Sequence, residues 1–370
     1  MAGTVRSISL CPNLHEDRFS LALRARLIHS GFVQSARTQQ SNLANAVGIV
    51  EQRRDADPTR HSVSPQQKDE QVGTAIPPQG IEKEENPPKG ILDVLHLYDG
   101  RVISLPAVMG VLNVTPDSFS DGGRYLDPDR AAARALEMEA AGAAIIDIGA
   151  ESTRPSGARE VSAEVELSRL LPVLQRLRGR LTVPLSIDTR KPEVARVALD
   201  WGAAIINDVS ALSNMAMTAL AAEWGCTVVL MHMKGGPEDH VRFASYRDVV
   251  EEVLEFLVAR TTIAAQAGID RSRIILDPGL GFAKTAQHNL AILANLERFC
   301  RLGYPVLIGA SRKNFISRIS GSRDSDVLYG TNAVNAVAVA AGAAIIRVHD
   351  PEPATITARM VAAIAAARRA

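Results

Sequence analysis

Eight short apolar runs in this sequence end in polar or charged residues, and the residue types found there divide by chemistry. The ends are Asn113; Asp147; Asp188; Asn207 with Asp208; His232; Asp277; Ser311-Arg312-Lys313; and Arg347 with His349 and Asp350. Arg347, His349, Lys313 and, in the stretch that follows Asp147, Arg154 are cations suited to an anion such as phosphate. Asp188, Asp277 and Asn207 suit a different partner, a ligand edge carrying several N–H donors. A carboxylate that accepts two parallel N–H bonds from an amidine-like edge mirrors an arginine fork, and an aminopyrimidinone ring offers such an edge. The two sets together predict a phosphorylated nitrogen heterocycle as ligand. Asn113, with Asp147 near it, offers oxygen ligands for a magnesium ion, which usually keeps several waters and substrate phosphates.

Some of these residues also have a plainer reading. Asp147, at the end of a buried strand, either touches ligand or caps and orients the loop that follows. Asp208 is expected to support its neighbours. His232 lies between Met231 and Met233 with no HxxxH or HExxH partner, and reads as a satisfied core histidine. Alternation along a strand sends Arg312 and Lys313 to opposite faces, which makes Lys313 the ligand candidate and assigns Arg312 to packing or an ion pair. The case for a site is collective, since eight polar strand ends coincide.

The elements that must position these groups are visible in a short repeat. Gly142-Ala-Ala-Ile-Ile-Asp147, Gly202-Ala-Ala-Ile-Ile-Asn207 and Gly342-Ala-Ala-Ile-Ile-Arg347 each read as the end of a helix, a tight turn, a buried strand and then a polar group. Runs at 108–114, 184–189, 227–233, 274–280 and 305–311 bring the strands to eight. Between them, Asp127-Pro128 opens a helix as cap and first turn, 161–178 is amphipathic, Lys191-Pro192-Glu193 opens another helix, and 246–267 is long. Eight buried parallel strands alternating with helices over about 280 residues predict an α/β fold of the (β/α)8 TIM-barrel type, whose usual length is about 250 residues. A doubly wound open sheet is the runner-up. No GxGxxG follows the first strand, no P-loop is present, and Gly279-Leu280-Gly281 alone is a weak signal. In a barrel the strand ends converge on one mouth, where the run Thr115 to Gly123, small, polar and glycine-containing, is expected to act as a lid.

Composition excludes several function classes. The 370 residues hold 41 Lys and Arg against 41 Asp and Glu, so no global basic field attracts nucleic acid or anionic lipid. Aromatic residues are only 4%, too few for single-strand stacking platforms. Cys11, Cys226 and Cys300 form no CxxC pair, which argues against a disulfide framework or structural zinc and predicts a reducing, cytoplasmic setting. The longest apolar run, 336–346, is about half the ~20 residues of a membrane span. Residues 1–90, rich in Gln, Ser, Asn and Pro, are expected to form a disordered extension to a single domain over 91–370. A helix over 19–28 with Arg24 and Arg26 leaves an organellar transit peptide as the alternative for that extension.

Met109-Gly-Val-Leu-Asn-Val-Thr-Pro-Asp-Ser-Phe-Ser-Asp-Gly-Gly123, Glu151-Ser-Thr-Arg-Pro155, Ser186-Ile-Asp-Thr189, Ile206-Asn-Asp-Val-Ser210, Leu230-Met-His-Met233, Leu276-Asp-Pro-Gly279, Ser311-Arg-Lys313 and Ile346-Arg-Val-His-Asp350 resemble, in order, the dihydropteroate synthases. The resemblance covers roughly 91–370. It implies condensation of 6-hydroxymethyl-7,8-dihydropterin diphosphate with 4-aminobenzoate, with magnesium as cofactor, in folate biosynthesis. It also implies a homodimer and a sulfonamide target, with no nucleic-acid or membrane partner. Carried over by position, Asp188, Asn207, Asp277 and Lys313 would hold the pterin ring, with Arg347 against its face and near the diphosphate. Asn113, Thr153, Arg154 and His349 would bind the diphosphate, Asn113 also its metal. Lys313, Arg347, Asp188 and Asp277 would then carry the catalysis.

Two departures from the family pattern stand out. Ser152-Thr-Arg-Pro-Ser156-Gly157-Ala158 is one residue longer than the usual loop, and Asn314 replaces a serine that helps receive the aminobenzoate carboxylate. The Asn314 amide and neighbouring N–H groups could serve in its place. Two other functions fit parts of the pattern: a pterin-dependent methyltransferase barrel, against which Ser311-Arg-Lys313 and the long first loop argue, and a catalytically idle pterin-binding paralogue, against which the presence of Asn113, Asp188, Lys313 and Arg347 argues.

Overall fold

The repeat shows how the barrel is built. Gly142, Gly202 and Gly342 turn the chain with φ of +93°, +96° and +101°, a region costly for residues with a Cβ, and the two isoleucines that follow then separate by strand alternation. Ile145, Ile205 and Ile345 pack inside the barrel, while Ile146, Ile206 and Ile346 pack outward beneath the helices. The next residue in each copy, Asp147, Asn207 or Arg347, therefore points inward again.

The computed structural model describes residues 93–115, 127–152, 160–236 and 239–368. A short antiparallel pair, β1 (Val94–His96) and β2 (Val102–Ser104), precedes the barrel. The barrel strands are β3 (Ala107–Asn113), β4 (Ile145–Gly149), β5 (Leu185–Asp188), β6 (Ala203–Asp208), β7 (Thr227–Met231), β8 (Ile274–Asp277), β9 (Leu307–Ile308) and β10 (Ile345–Val348). They run in the order β8-β7-β6-β5-β4-β3-β10-β9, every ladder parallel, and a bridge between Leu276 and Val306 brings the two edges together. The fold is the expected (β/α)8 barrel, not the open sheet.

Helices α1 (Pro128–Ala140), α2 (Ala163–Leu177), α3 (Pro192–Asp200), α4 (Met215–Trp224), α5 (Val249–Gln266), α6 (Ala286–Ala294), α7 (Leu296–Cys300), α8 (Asn314–Ser320), α9 (Asp324–Ala340) and α10 (Pro351–Ala367) alternate with the strands. Their starts follow cap chemistry. Asp127, Ser162 and Asp248 each accept a backbone N–H of the first turn, trimming the predicted 161–178 and 246–267 to the helices observed.

Two of the apolar runs, 227–233 and 305–311, pair over less than their length, while 274–280 ends as a strand at Asp277, the polar end expected of it. The 274–280 run stops at Asp277, because its Oδ1 accepts the Gly279 N–H at 2.7 Å and turns the chain. The 227–233 run stops at Met231, and the His232 N–H crosses to the Asp277 carbonyl. Of 305–311 only Leu307–Ile308 pairs as strand, the chain turning with φ +58° at Arg312. Conversely, β4 runs two residues beyond Asp147, since its ladder with β3 extends to Asn113 and Gly149.

The β1–β2 pair is an element that the apolar-run reading does not include. Its Leu95 and Ile103, with Leu97, pack against Met109, Ile145, Ile205, Val229, Ile275, Leu307 and Ile345, plugging the barrel interior away from the polar strand ends. Asp99-Gly100 between two alternating segments is the turn signal for it. The extension expected over 1–90 lies outside the described residues. Among the described residues no helix is long and apolar enough to cross a membrane.

Candidate functional site

The three polar residues that the repeat places equivalently meet one another. Arg347 donates to Asp147 through Nε at 2.7 Å, and Asn207 Nδ2 donates to the same Asp147 oxygen at 3.1 Å. This is the layered interior of an eight-stranded barrel, in which side chains from alternate strands share a level. Arg347 also reaches Asp188, the last residue of β5, at 2.9 Å, so one guanidinium faces two buried carboxylates. Burial opposes the Arg347 charge, but Asp147 and Asp188 outweigh it and its pKa lies above the ordinary arginine value. Burial pushes Asp188 up to about 7, with Arg347 pulling it down and Asp147 adding to the rise. Among the described residues Asp147 makes no bond to the loop that follows it. Its bonds go to Arg347 and Asn207, and its Oδ1 has no hydrogen-bond partner among the described residues.

The raised Asp188 gives a pH dependence. Its folded-state value lies above the ~3.9 of an unfolded chain, so the stability it contributes is complete below ~3.9 and is lost as pH rises through about 7. The melting temperature of the wild type minus that of Asp188→Asn is therefore expected to fall between about pH 4 and about pH 7. A pH-independent difference would contradict it.

On the other side of the mouth, Asp277 is buried at the end of β8, and burial raises its pKa against the opposing charge of Lys313. Lys313 donates to the Leu280 carbonyl and stands 4.5 Å from the Phe282 ring centroid. Burial lowers Lys313 to about 8, with Asp277 opposing and Arg347 adding to the fall.

The structure also locates the other expected residues. Asn113 ends β3, and a Cβ on the neighbouring Gly149 would lie 3.6 Å from its Oδ1 and 3.7 Å from Asp188 Oδ2, so both oxygens border the same small gap. Ser311 Oγ accepts the His349 backbone N–H at 3.2 Å and lies 3.0 Å from its Nδ1. Arg134 of α1 donates to the His349 carbonyl at 3.1 Å. Asn314 is exposed at the start of α8. Arg312 pairs with Asp350 at 2.8 Å, away from Lys313. Asp208 accepts the Ser210 and Leu212 N–H groups and so shapes the loop after β6. His232 is buried among Phe256 and Tyr246 rings and lies 2.9 Å from Lys284 Nζ. Thr153, Arg154, the extra Ser156 and most of the expected lid, 116–123, lie outside the described residues.

Two groups near these strand ends are assigned no role by the sequence. Glu151, from which the loop carrying Thr153 and Arg154 departs, bonds Lys191 and, at 3.0 Å, Arg190, while Lys191 also holds the buried Glu166 at 2.8 Å. The turn with Phe282 and Lys284 also faces Lys313 and His232. The only sequence trace of that turn is the pair of glycines at 279 and 281.

The comparisons with known proteins agree with this geometry. Residues 109–349 match the family described as pterin binding enzyme. The dihydropteroate synthase of Synechocystis is 46% identical over 247 residues, 66% of this chain and 85% of that protein. That of Escherichia coli is 44% identical over 266 residues, covering 72% and 94%. Among solved structures, Xanthomonas albilineans dihydropteroate synthase with 4-aminobenzoic acid superposes with a TM-score of 0.68 at 43% identity, over 74% of this chain and 98% of that one. The Yersinia pestis enzyme in a sulfonamide drug complex gives 0.71 at 38% identity, over 74% and 99%. The fold, the polar strand ends and these matches agree: the chain belongs to the pterin-binding enzymes and, among them, to the dihydropteroate synthases.

Proposed function

We propose that the mouth of this barrel joins 6-hydroxymethyl-7,8-dihydropterin diphosphate to 4-aminobenzoate, releasing diphosphate and forming 7,8-dihydropteroate. The observation that carries this reading is the meeting of Asp188, Asn207, Asp277, Lys313 and Arg347 at the ends of separate strands, with carboxylates and cations within reach of one ligand. Relatives solved with 4-aminobenzoate and with 7,8-dihydropteroate support both substrate classes.

In this reading Asp188 and Asp277 accept the pterin's N–H donors, Asn207 and Lys313 complete its edge, and Arg347 lies against the ring. An aromatic amine is neutral near pH 7, so its nitrogen attacks the methylene carbon without a strong base. The C–N bond forms as the C–O bond breaks, the C–O electron pair leaves with the diphosphate, and the proton lost by the amine nitrogen passes to solvent water or the released diphosphate. Charge builds on the departing diphosphate, where Arg347, His349, Thr153 and Arg154 stabilise it better than water does. Asp188 and Asp277 orient the ring and favour the positive charge that develops on it.

Asn113 fits magnesium. Its carboxamide oxygen borders the gap beside Gly149, and among the described residues no cluster of three His, Cys, Asp or Glu forms a fuller cage. One protein oxygen with waters and substrate phosphates is a common magnesium set. When bound, the ion neutralises charge on the leaving diphosphate.

The test is diphosphate release by the purified protein given the pterin diphosphate and magnesium, with and without 4-aminobenzoate, following dihydropteroate in the same samples. Amine-dependent formation of both products is expected; pterin binding without turnover would favour the idle paralogue. Asn314→Ala is expected to raise the aminobenzoate KM about tenfold with kcat nearly unchanged, as loss of a binding contact made equally in ground and transition states does. An unchanged KM would move carboxylate binding elsewhere.

A homodimer fits the surface. Ile356, Met360 and Ile364 are 61%, 61% and 51% exposed at one-turn intervals along α10, and α9 carries exposed Tyr329 and Val337. Met360→Glu is expected to shift the protein to monomer in sedimentation velocity, and an unaltered dimer would move the interface off α10. The reducing, cytoplasmic setting is inferred from a sequence whose three cysteines form no CxxC pair and from the free thiols of Cys226 and Cys300 among the described residues.

A further inference from the structure

The turn that leaves β8, residues 279–284, is held almost entirely by side chains. The N–H groups of Gly279, Gly281 and Ala283 donate to Asp277 Oδ1 at 2.7 Å, Asn289 Oδ1 at 2.8 Å and His240 Nδ1 at 2.8 Å. Between them, the Leu280 and Phe282 carbonyls accept from two lysines, Lys313 and Lys284. Gly279 and Gly281 wind left-handed with φ of +70° and +79°, a conformation open to glycine, whereas Ala283 at +48° carries a Cβ that disfavours it. The winding is also close-fitting. A Cβ on Gly279 would stand 2.0 Å from the His232 carbonyl oxygen, and one on Gly281 would stand 2.8 Å from Lys313 Cδ.

Lys284 ties this turn to the end of β7. Its Nζ lies 3.0 Å from the Phe282 carbonyl, 2.9 Å from His232 Nδ1 and 3.4 Å from the His232 carbonyl, and burial pushes its pKa well below the ordinary lysine value, so the amine is held by these three polar atoms with no carboxylate bonded to it among the described residues. Burial, with any Lys284 charge adding to it, pushes His232 down to about 2, so the ring is neutral, and in its Nε2–H tautomer Nδ1 accepts from Lys284. Across the turn, the two groups that fix Lys313 are the Leu280 carbonyl and the Phe282 ring.

We propose that Lys284 is a positioning residue for Lys313: by bonding Phe282 and His232 it holds the turn whose Leu280 carbonyl and Phe282 ring set the place of the Lys313 ammonium. The inference rests on Lys313 being a pterin ligand, as read above. Without Lys284, the Phe282 and His232 carbonyls lose a donor and the left-handed Ala283 loses a neighbouring support. Lys313 must then be ordered at the moment of binding, at an entropic cost.

A double-mutant cycle on pterin diphosphate affinity, measured by calorimetry with magnesium, tests it. Lys284→Met is expected to weaken binding about tenfold in the wild type and by no more than about twofold in the Lys313→Met background. Equal losses in both backgrounds, or no loss in the wild type, would overturn the proposal, because a generally structural residue acts independently of Lys313. Unchanged affinity in Lys313→Met alone would overturn the reading of Lys313, and the proposal with it. Thermal melting checks that each variant folds. If Lys284→Met does not, Lys284→Gln, which keeps an N–H donor, enters the same cycle, and failure of both to fold would overturn the proposal by assigning Lys284 to barrel stability.

Discussion

Arg347→Met is expected to lower kcat/KM by about 100- to 1000-fold, the loss typical of removing a charge-stabilising donor from a catalytic site. Two effects coincide in this residue. On the ligand side, the guanidinium is the cation nearest both the ring and the leaving diphosphate in the proposed reaction. On the protein side, it is bonded to Asp147 at 2.6 Å and to Asp188 at 2.9 Å, and methionine leaves both carboxylates buried without it. Breaking a buried pair from one side costs about 3–5 kcal/mol. Because Arg347 opposes the burial that raises Asp188, its removal sends that pKa higher still. The stability deficit of the variant should therefore shrink as pH falls and Asp188 is protonated. Steady-state kinetics with denaturant titrations near pH 5 and pH 8 check both parts; a wild-type kcat/KM would remove Arg347 from the reaction.

Asp277→Asn is expected to weaken pterin diphosphate binding about 100-fold, since two hydrogen bonds to a charged acceptor are worth about 1.5–3 kcal/mol each and not all of that is lost. The substitution keeps the shape. Its amide oxygen can still accept the Gly279 N–H, now held by Asp277 Oδ1, so the turn after β8 should survive. The remaining amide nitrogen then faces the ligand's own donors. The Lys313 ammonium also loses the anion that opposes its burial, so its pKa moves further below about 8. Calorimetry reads the affinity and a melting curve reads the fold. Unchanged affinity in a folded variant would place the ring's donor edge on other residues.

The difference between what the chain's pattern discloses and what it hides is physical. Strand and helix periodicity is a local property, so the repeat Gly-Ala-Ala-Ile-Ile, the cap at Asp127 and the equivalent placement of Asp147, Asn207 and Arg347 could be read along the chain. Strand ends were less legible. Pairing in β9 stops at Ile308 and Arg312 turns the chain by a dihedral that composition does not reveal, and the β1–β2 plug is too short to stand out as apolar runs. Lys284 and Phe282 were hidden because neither ends an apolar run; their relation to Lys313 and His232 exists only once β7, β8 and α8 are side by side.

By itself, then, the sequence determined the element types, their order and the polar residues that face the mouth, since each follows from neighbours within a few positions. Tertiary structure alone decided which of those residues bond: Arg347 with Asp147 across 200 residues of chain, and with Asp188 across 159. Barrel closure sets those pairings, bringing β10 beside β3 and stacking alternate strands into one interior layer, and no local pattern encodes it.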